Sequence, residues 1–107
     1  MKLILTVESN CSDPNKETEF NDWYNNIHLP DILELEEVKS AARYQNLNPS
    51  DNETKYLAVY EIEADDFRKV LEKLGEHVKD KAAQGRMSSL INLTRSSQFK
   101  LIYSLDK

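Results

Sequence analysis

The stretch Lys55 to Glu63 (KYLAVYEIE) constrains this chain more than any other. Tyr56, Ala58, Tyr60 and Ile62 fall on one face of an extended strand, and Leu57 and Val59 fall on the other. A strand that is apolar on both faces needs cover on both sides. The chain has 107 residues, 39% of them hydrophobic and 31% charged, which suits a single domain with one modest core. Such a chain covers a second sheet face most simply with a copy of itself, so a homodimer is expected.

The flanking segments supply the other layers. Lys2 to Glu8 (KLILTVE) reads as a first strand, short and β-branched. Asp13-Pro14 has the form of a helix cap followed by proline at the first helical position. The first helix is predicted over 14–28, ending ahead of Pro30. Asp31-Ile32-Leu33-Glu34 has capping-box spacing, so Asp31 is expected to start a short second helix. Val38 to Leu47 is a second strand, although its Ala and Lys residues suit a helix equally. The cluster Asn48-Pro49-Ser50-Asp51-Asn52 marks a turn, which makes this strand and Lys55 to Glu63 an antiparallel hairpin.

Asp65-Asp66 caps a further helix with Phe67, Val70, Leu71, Leu74 and Val78 on one stripe. Gly75 is a place for a break or kink, Gly85 is the stop, and Lys69, Glu72, Lys73, Glu76, Lys79 and Asp80 form a solvated face. Arg86 to Ser96 reads as a polar loop, and Gln98 to Leu105 (QFKLIYSL) as the last strand. The order β-α-β-β-α-β predicts one α+β domain over 1–107. Its form is a ferredoxin-like plait: a four-stranded antiparallel sheet with both helices on one face.

Composition removes several function classes. Fourteen basic against nineteen acidic residues give a net charge of −5, so neither nucleic acid nor an anionic membrane is an expected partner. No run approaches the roughly 20 apolar residues of a membrane helix. The run Leu3 to Val7 is too short for the apolar core of a signal peptide. The single cysteine, Cys11, fits a reducing compartment, and a cytoplasmic location is expected. The N-x-[ST] triplets at Asn10, Asn52 and Asn92 are then chance matches. One Cys and two distant His do not make a metal site, and two isolated glycines do not make a phosphate loop. No cofactor is expected.

The chemistry concentrates in Glu19 to Asp31. Phe20, Trp23, Tyr24 and Ile27 form a helix stripe with His28 at its margin. At a helix C-terminus the dipole would favour protonated His28. Two readings stand for His28: a structural imidazole at the helix end, or a general acid–base with Asp31 orienting its ring. Trp23 and Tyr24 read as core or as the wall of a ligand pocket. Tyr44, Tyr60 or Arg43 could stabilise a developing enolate, but strand alternation puts Arg43 and Tyr44 on opposite faces.

The run FNDWYNNIHLPD (Phe20 to Asp31), with Ala42-Arg43-Tyr44 and Lys55 to Ile62, resembles the EthD-like and RedY/HapK-like branch of the dimeric α+β barrel superfamily. The resemblance implies two sheets paired face to face and a pocket between sheet and helices in each subunit. Relatives include polyketide cyclases, isomerases and cofactor-free aromatic monooxygenases. The motif histidine carries over to His28, the acid to Asp31 and the aromatic pair to Trp23 and Tyr24. The chain departs where a Pro-Gly commonly precedes the second strand and Glu34-Leu35-Glu36-Glu37 stands instead. The implied function is binding of an aromatic or polyketide-like molecule with acid–base catalysis of cyclase, dehydratase or isomerase type. The alternatives are non-catalytic metabolite binding and cofactor-free monooxygenation.

Overall fold

A computed structural model describes residues 1–50 and 53–107. The predicted turn at Asn48 to Asn52 and the triplet at Asn52 fall partly or wholly on positions 51 and 52, outside the described residues.

The strands are β1 (Lys2–Cys11), β2 (Val38–Gln45), β3 (Tyr56–Glu63) and β4 (Ile91–Lys100). They form one antiparallel sheet in the order β2-β3-β1-β4. Between β1 and β2 runs a helical stretch: a 3₁₀ turn (Pro14–Lys16), α1 (Glu17–Trp23), one wide turn (Tyr24–His28) and α2 (Leu29–Ile32). Between β3 and β4 runs α3 (Phe67–Ala83). This is the ferredoxin-like plait that the segment order predicts.

Register explains where the core lies. Leu3, Leu5 and Ser9 of β1 stand opposite Ile62, Tyr60 and Tyr56 of β3. Val38 and Ala41 of β2 continue the same rows. On this face pack Phe20, Tyr24, Ile32 and Leu35 from the helical stretch and its exit, and Val70 from α3. Phe20 and Tyr24 are almost wholly buried, with ring centroids 5.6 Å apart and edge to face.

The other face carries Ile4, Leu57, Val59, Tyr44 and Phe99, and neither helix covers it. Tyr44 and Phe99 are more than half exposed there. β3 is thus apolar toward both sides, as its sequence requires, with one side open in the single chain.

Five expectations need correction. The first helix does not stop at His28. Proline lacks an N–H and its ring crowds the carbonyl four residues back. The turn ahead of Pro30 widens so that the Leu29 N–H donates to the Tyr24 carbonyl five residues back, and the helix continues to Ile32. Asp31 therefore lies inside helix and caps nothing. Gly75 neither breaks nor ends α3, which runs unbroken to Ala83 and closes at Gly85 with φ 76°.

The last strand is Ile91–Lys100 rather than 98–105. It is an edge strand, so pairing with β1 decides its extent while polar side chains face solvent, and apolar alternation is absent. The apolar tail 101–107 has no strand partner after the Leu101 N–H meets the Lys2 carbonyl at 2.8 Å. Finally, β1 runs beyond the predicted Glu8 to Cys11, whose thiol donates to the Asp13 carbonyl.

Phe20→Ala would leave a ring-sized void at the fully buried centre. It should cost about 3–5 kcal/mol of stability, read from the urea midpoint.

Candidate functional site

The wide turn lays His28 against two rings. Its imidazole stacks on Trp23 with centroids 4.9 Å apart and meets Tyr24 edge-on at 5.0 Å. The Trp23 indole N–H donates to the Arg86 carbonyl at 2.8 Å, which fixes the stacking partner. Burial pushes the His28 pKa down to about 4, and the Arg43 charge adds to this against the opposing pull of Asp31. His28 is therefore neutral at neutral pH. This overturns the expectation of a helix-end imidazole favouring its proton, because the helix does not end there.

Asp31 is committed elsewhere. Its carboxylate takes a bidentate pair from Arg86, at 2.8 and 2.9 Å. That pairing holds its carboxyl below the ordinary range, against the opposing effect of burial. Its backbone carbonyl lies 2.7 Å from His77 Nε2. Among the described residues no hydrogen bond joins Asp31 to His28; Asp31 acts on the imidazole through its charge.

Arg43 points from β2 to the helix side, while Tyr44 points to the open face, as alternation requires. Its guanidinium lies 4.2 Å over the Tyr24 ring and 5.1 Å over Tyr56. Nη1 donates to Asn25 Oδ1 and Nη2 to Asn21 Oδ1, both at 2.9 Å. Asn21 Nδ2 donates to the Tyr56 hydroxyl at 3.3 Å, which donates to Glu17 at 3.1 Å. Burial raises the Tyr24 pKa, partly offset by Tyr60, Arg43 and Ser9 beside it. Burial raises that of Tyr60 as well.

Among the described residues, three buried polar atoms here lack a hydrogen bond of good geometry: Ser9 Oγ, Tyr24 OH and Arg43 Nε, with the Ser9 and Tyr60 hydroxyls close enough to Tyr24 to act on its charge state. A groove of about 530 Å³ opens between the helical stretch and the β2 edge, lined by Asn21, Asn25, Leu29, Ala41, Arg43 and Tyr56 among others. A second, of about 570 Å³, lies on the open sheet face, with Ile4, Glu61, Phe99, Ile102 and Tyr103 in its wall. His28 lines neither. Among the described residues no group of three or more His, Cys, Asp or Glu is placed to hold a metal ion. Likewise, no helix is long and apolar enough to cross a membrane.

Residues 2–92 match the family described as Domain of unknown function (DUF4286). The chain belongs to this family. Solved structures that share 10–16% identity with this chain have the same ferredoxin-like fold. HapK from Hahella chejuensis is similar over 100% of this chain and 98% of its own, with TM-score 0.69 and 14% identity. A dimeric ferredoxin-like protein of unknown function from Thermobifida fusca is similar over 94% and 92%, with TM-score 0.56 and 16% identity. An EthD family protein from Bacillus halodurans is similar over 95% and 99%, with TM-score 0.57 and 10% identity. Among curated proteins, Core atranone cluster (CAC) protein 1 of Stachybotrys chlorohalonatus is 43% identical over 61 residues. That segment is 57% of this chain and 26% of the relative.

In this DUF4286 chain the structure gathers Trp23, Tyr24, His28, Arg43 and Tyr60 at one junction of helix and sheet. It places Asp31 at the α3 side with Arg86, and Tyr44 on the opposite face. The sequence reading missed Asn21, Asn25, Ser9 and Arg86. Asn21, Asn25 and Leu29 recur every four residues, which marks a second helix face turned toward a neighbour. Arg86 carries no local signal, since its partner is 55 residues away.

Two measurements follow. The folded His28 pKa lies below the ordinary 6.5, so the unfolded chain binds this proton more readily. Its stabilising effect is complete above pH 6.5 and is lost as pH falls toward 4, by up to about 3 kcal/mol. His28→Phe keeps the ring stack and should flatten that part of the urea-denaturation profile. Arg86→Ala leaves the Asp31 carboxylate unpaired and should lower the urea midpoint at pH 7, with Arg86→Lys recovering part of it.

Proposed function

We propose that this protein is a homodimer that binds a flat aromatic or polyketide-like small molecule against the helix–sheet junction and serves in small-molecule biosynthesis. The observation that carries this reading is the cluster of buried polar atoms that lack a hydrogen bond of good geometry among the described residues, Ser9 Oγ, Tyr24 OH and Arg43 Nε, set among aromatic rings. Buried polar groups are nearly always paired, and apolar sites with a few convergent polar atoms are the usual form of a ligand site. The name of the curated relative, which refers to a core atranone cluster, points the same way.

Within that reading His28 is the acid–base group. A neutral imidazole can accept a proton from a carbon beside a carbonyl, and the Arg43 charge can stabilise the enolate that results. Trp23 and Tyr24 hold the imidazole plane. Asp31 biases its protonation by charge from a position fixed by Arg86. Tyr60 belongs to the wall, and Tyr44 to the face where two copies meet. The dimer reading rests on the uncovered apolar face of β3, on Phe99 and the exposed tail residues Ile102, Tyr103 and Leu105, and on the dimeric neighbour from Thermobifida fusca.

The test uses 2-indanone as probe. Incubation with the protein in D₂O should accelerate deuterium incorporation at the carbons beside the carbonyl. His28→Phe should abolish the acceleration while circular dichroism stays unchanged. Binding of the probe without acceleration would leave metabolite binding and remove the catalytic role. Val59→Glu, on the open face, should shift the light-scattering mass from two chains to one.

A further inference from the structure

Arg43 differs in its surroundings from the ion-paired cations of this protein. Lys55, Lys73, Lys81 and Arg86 each reach a carboxylate, at 2.8, 3.0, 2.7 and 2.8 Å. Arg43 is half-buried, yet among the described residues no carboxylate lies within ion-pair distance of it. Its partners are the neutral oxygens of Asn21 and Asn25 and the faces of Tyr24 and Tyr56. Among the described residues, no Asp or Glu lines the groove it borders. A chain of net charge −5 thus holds a partly desolvated guanidinium apart from the acids of its described residues.

The chemistry of that arrangement is specific. Leaving a partly buried charge unpaired is costly unless a counter-charge arrives. Each Nη atom carries two hydrogens, and one on each is used by an asparagine oxygen. The remaining donors can meet a planar anion, for which a guanidinium is geometrically suited. Asn25, whose Oδ1 holds Nη1, makes no hydrogen bond through Nδ2 among the described residues. Leu29, Ala41 and the Tyr56 ring supply apolar walls for the rest of a ligand.

We propose that the groove between the helical stretch and the β2 edge binds the carboxylate of a small aromatic acid, with Arg43 as its counter-ion and Asn25 as a second donor. The proposal rests on the small-molecule reading above and sharpens it, since it makes the ligand an anion.

The experiment compares 2-naphthoate with its neutral isostere 2-naphthamide, by calorimetry and by NMR shifts of the Asn21 and Asn25 side-chain amides. Naphthoate should bind at least tenfold more tightly and move both amides, with a preference that weakens as salt rises. Arg43→Gln should erase the preference for naphthoate over naphthamide. If Arg43→Gln does not fold, Asn25→Asp serves instead. It supplies a carboxylate 2.9 Å from Nη1 from within the chain, so it should raise the Tm and abolish the preference for naphthoate.

Equal affinity for the two probes would overturn the anion assignment and leave small-molecule binding standing. So would a preference that survives both substitutions. Binding of neither probe would overturn both.

Discussion

The wide turn at Tyr24–His28 is the constraint on which the site depends. A helix that carries Pro30 must either stop or release one backbone bond. Here it releases the bond by bridging five residues instead of four, and the chain remains helical to Ile32. An α-helix advances about 100° per residue, so one residue more in a turn rotates all that follows by roughly that angle. Ile27, which a regular helix would bury, is left half-buried. Asp31 and Ile32 turn inward. His28 comes to rest in a ring stack instead of at a free helix end, and its charge state is inverted as a result.

Two arginines show how surroundings assign different work to one side chain. Arg86 spends its fork on a single carboxylate, so its role is to bind the end of the helical stretch to the segment after α3. Arg43 has similar reach, but it ends against amides and aromatic faces. Ring faces attract a cation without cancelling its charge. The field of Arg43 therefore persists at the groove and at His28, where it helps keep the imidazole neutral.

Much of the architecture was legible because it follows from side-chain period. The two-faced apolar pattern of β3, the stripe of α3 and the Asp66 cap all act over a few residues. The parts that were not legible act at longer range. β4 is held by backbone bonds to β1, and its outward side chains carry no apolar signal; the apolar tail beside it carried the signal and misplaced the strand. The aromatic pair, His28 and Arg43 were legible as chemistry. Their surroundings were not, since the approach of β2 to Asn21 and Asn25 and the pairing of Asp31 with Arg86 arise only when distant segments meet. The dipole argument for His28 failed for a related reason: it assumed that proline ends a helix, and a one-residue adjustment of backbone bonding avoided that.

α3 meets the segment after the helical stretch at regular intervals. Lys73 reaches Glu37, His77 the carbonyl of Asp31 and Lys81 Glu34, and the chain then turns so that Arg86 reaches the Asp31 side chain. Positions 73, 77 and 81 are successive steps along one helix face. The contacts work as a ruler, and a ruler tolerates changes of material better than changes of length. Replacing one exposed lysine removes one weak pair. Inserting or deleting a single residue within α3 would rotate each later contact out of reach together and carry Arg86 away from Asp31. The number of residues in this helix is thus under tighter control than the identity of most of them.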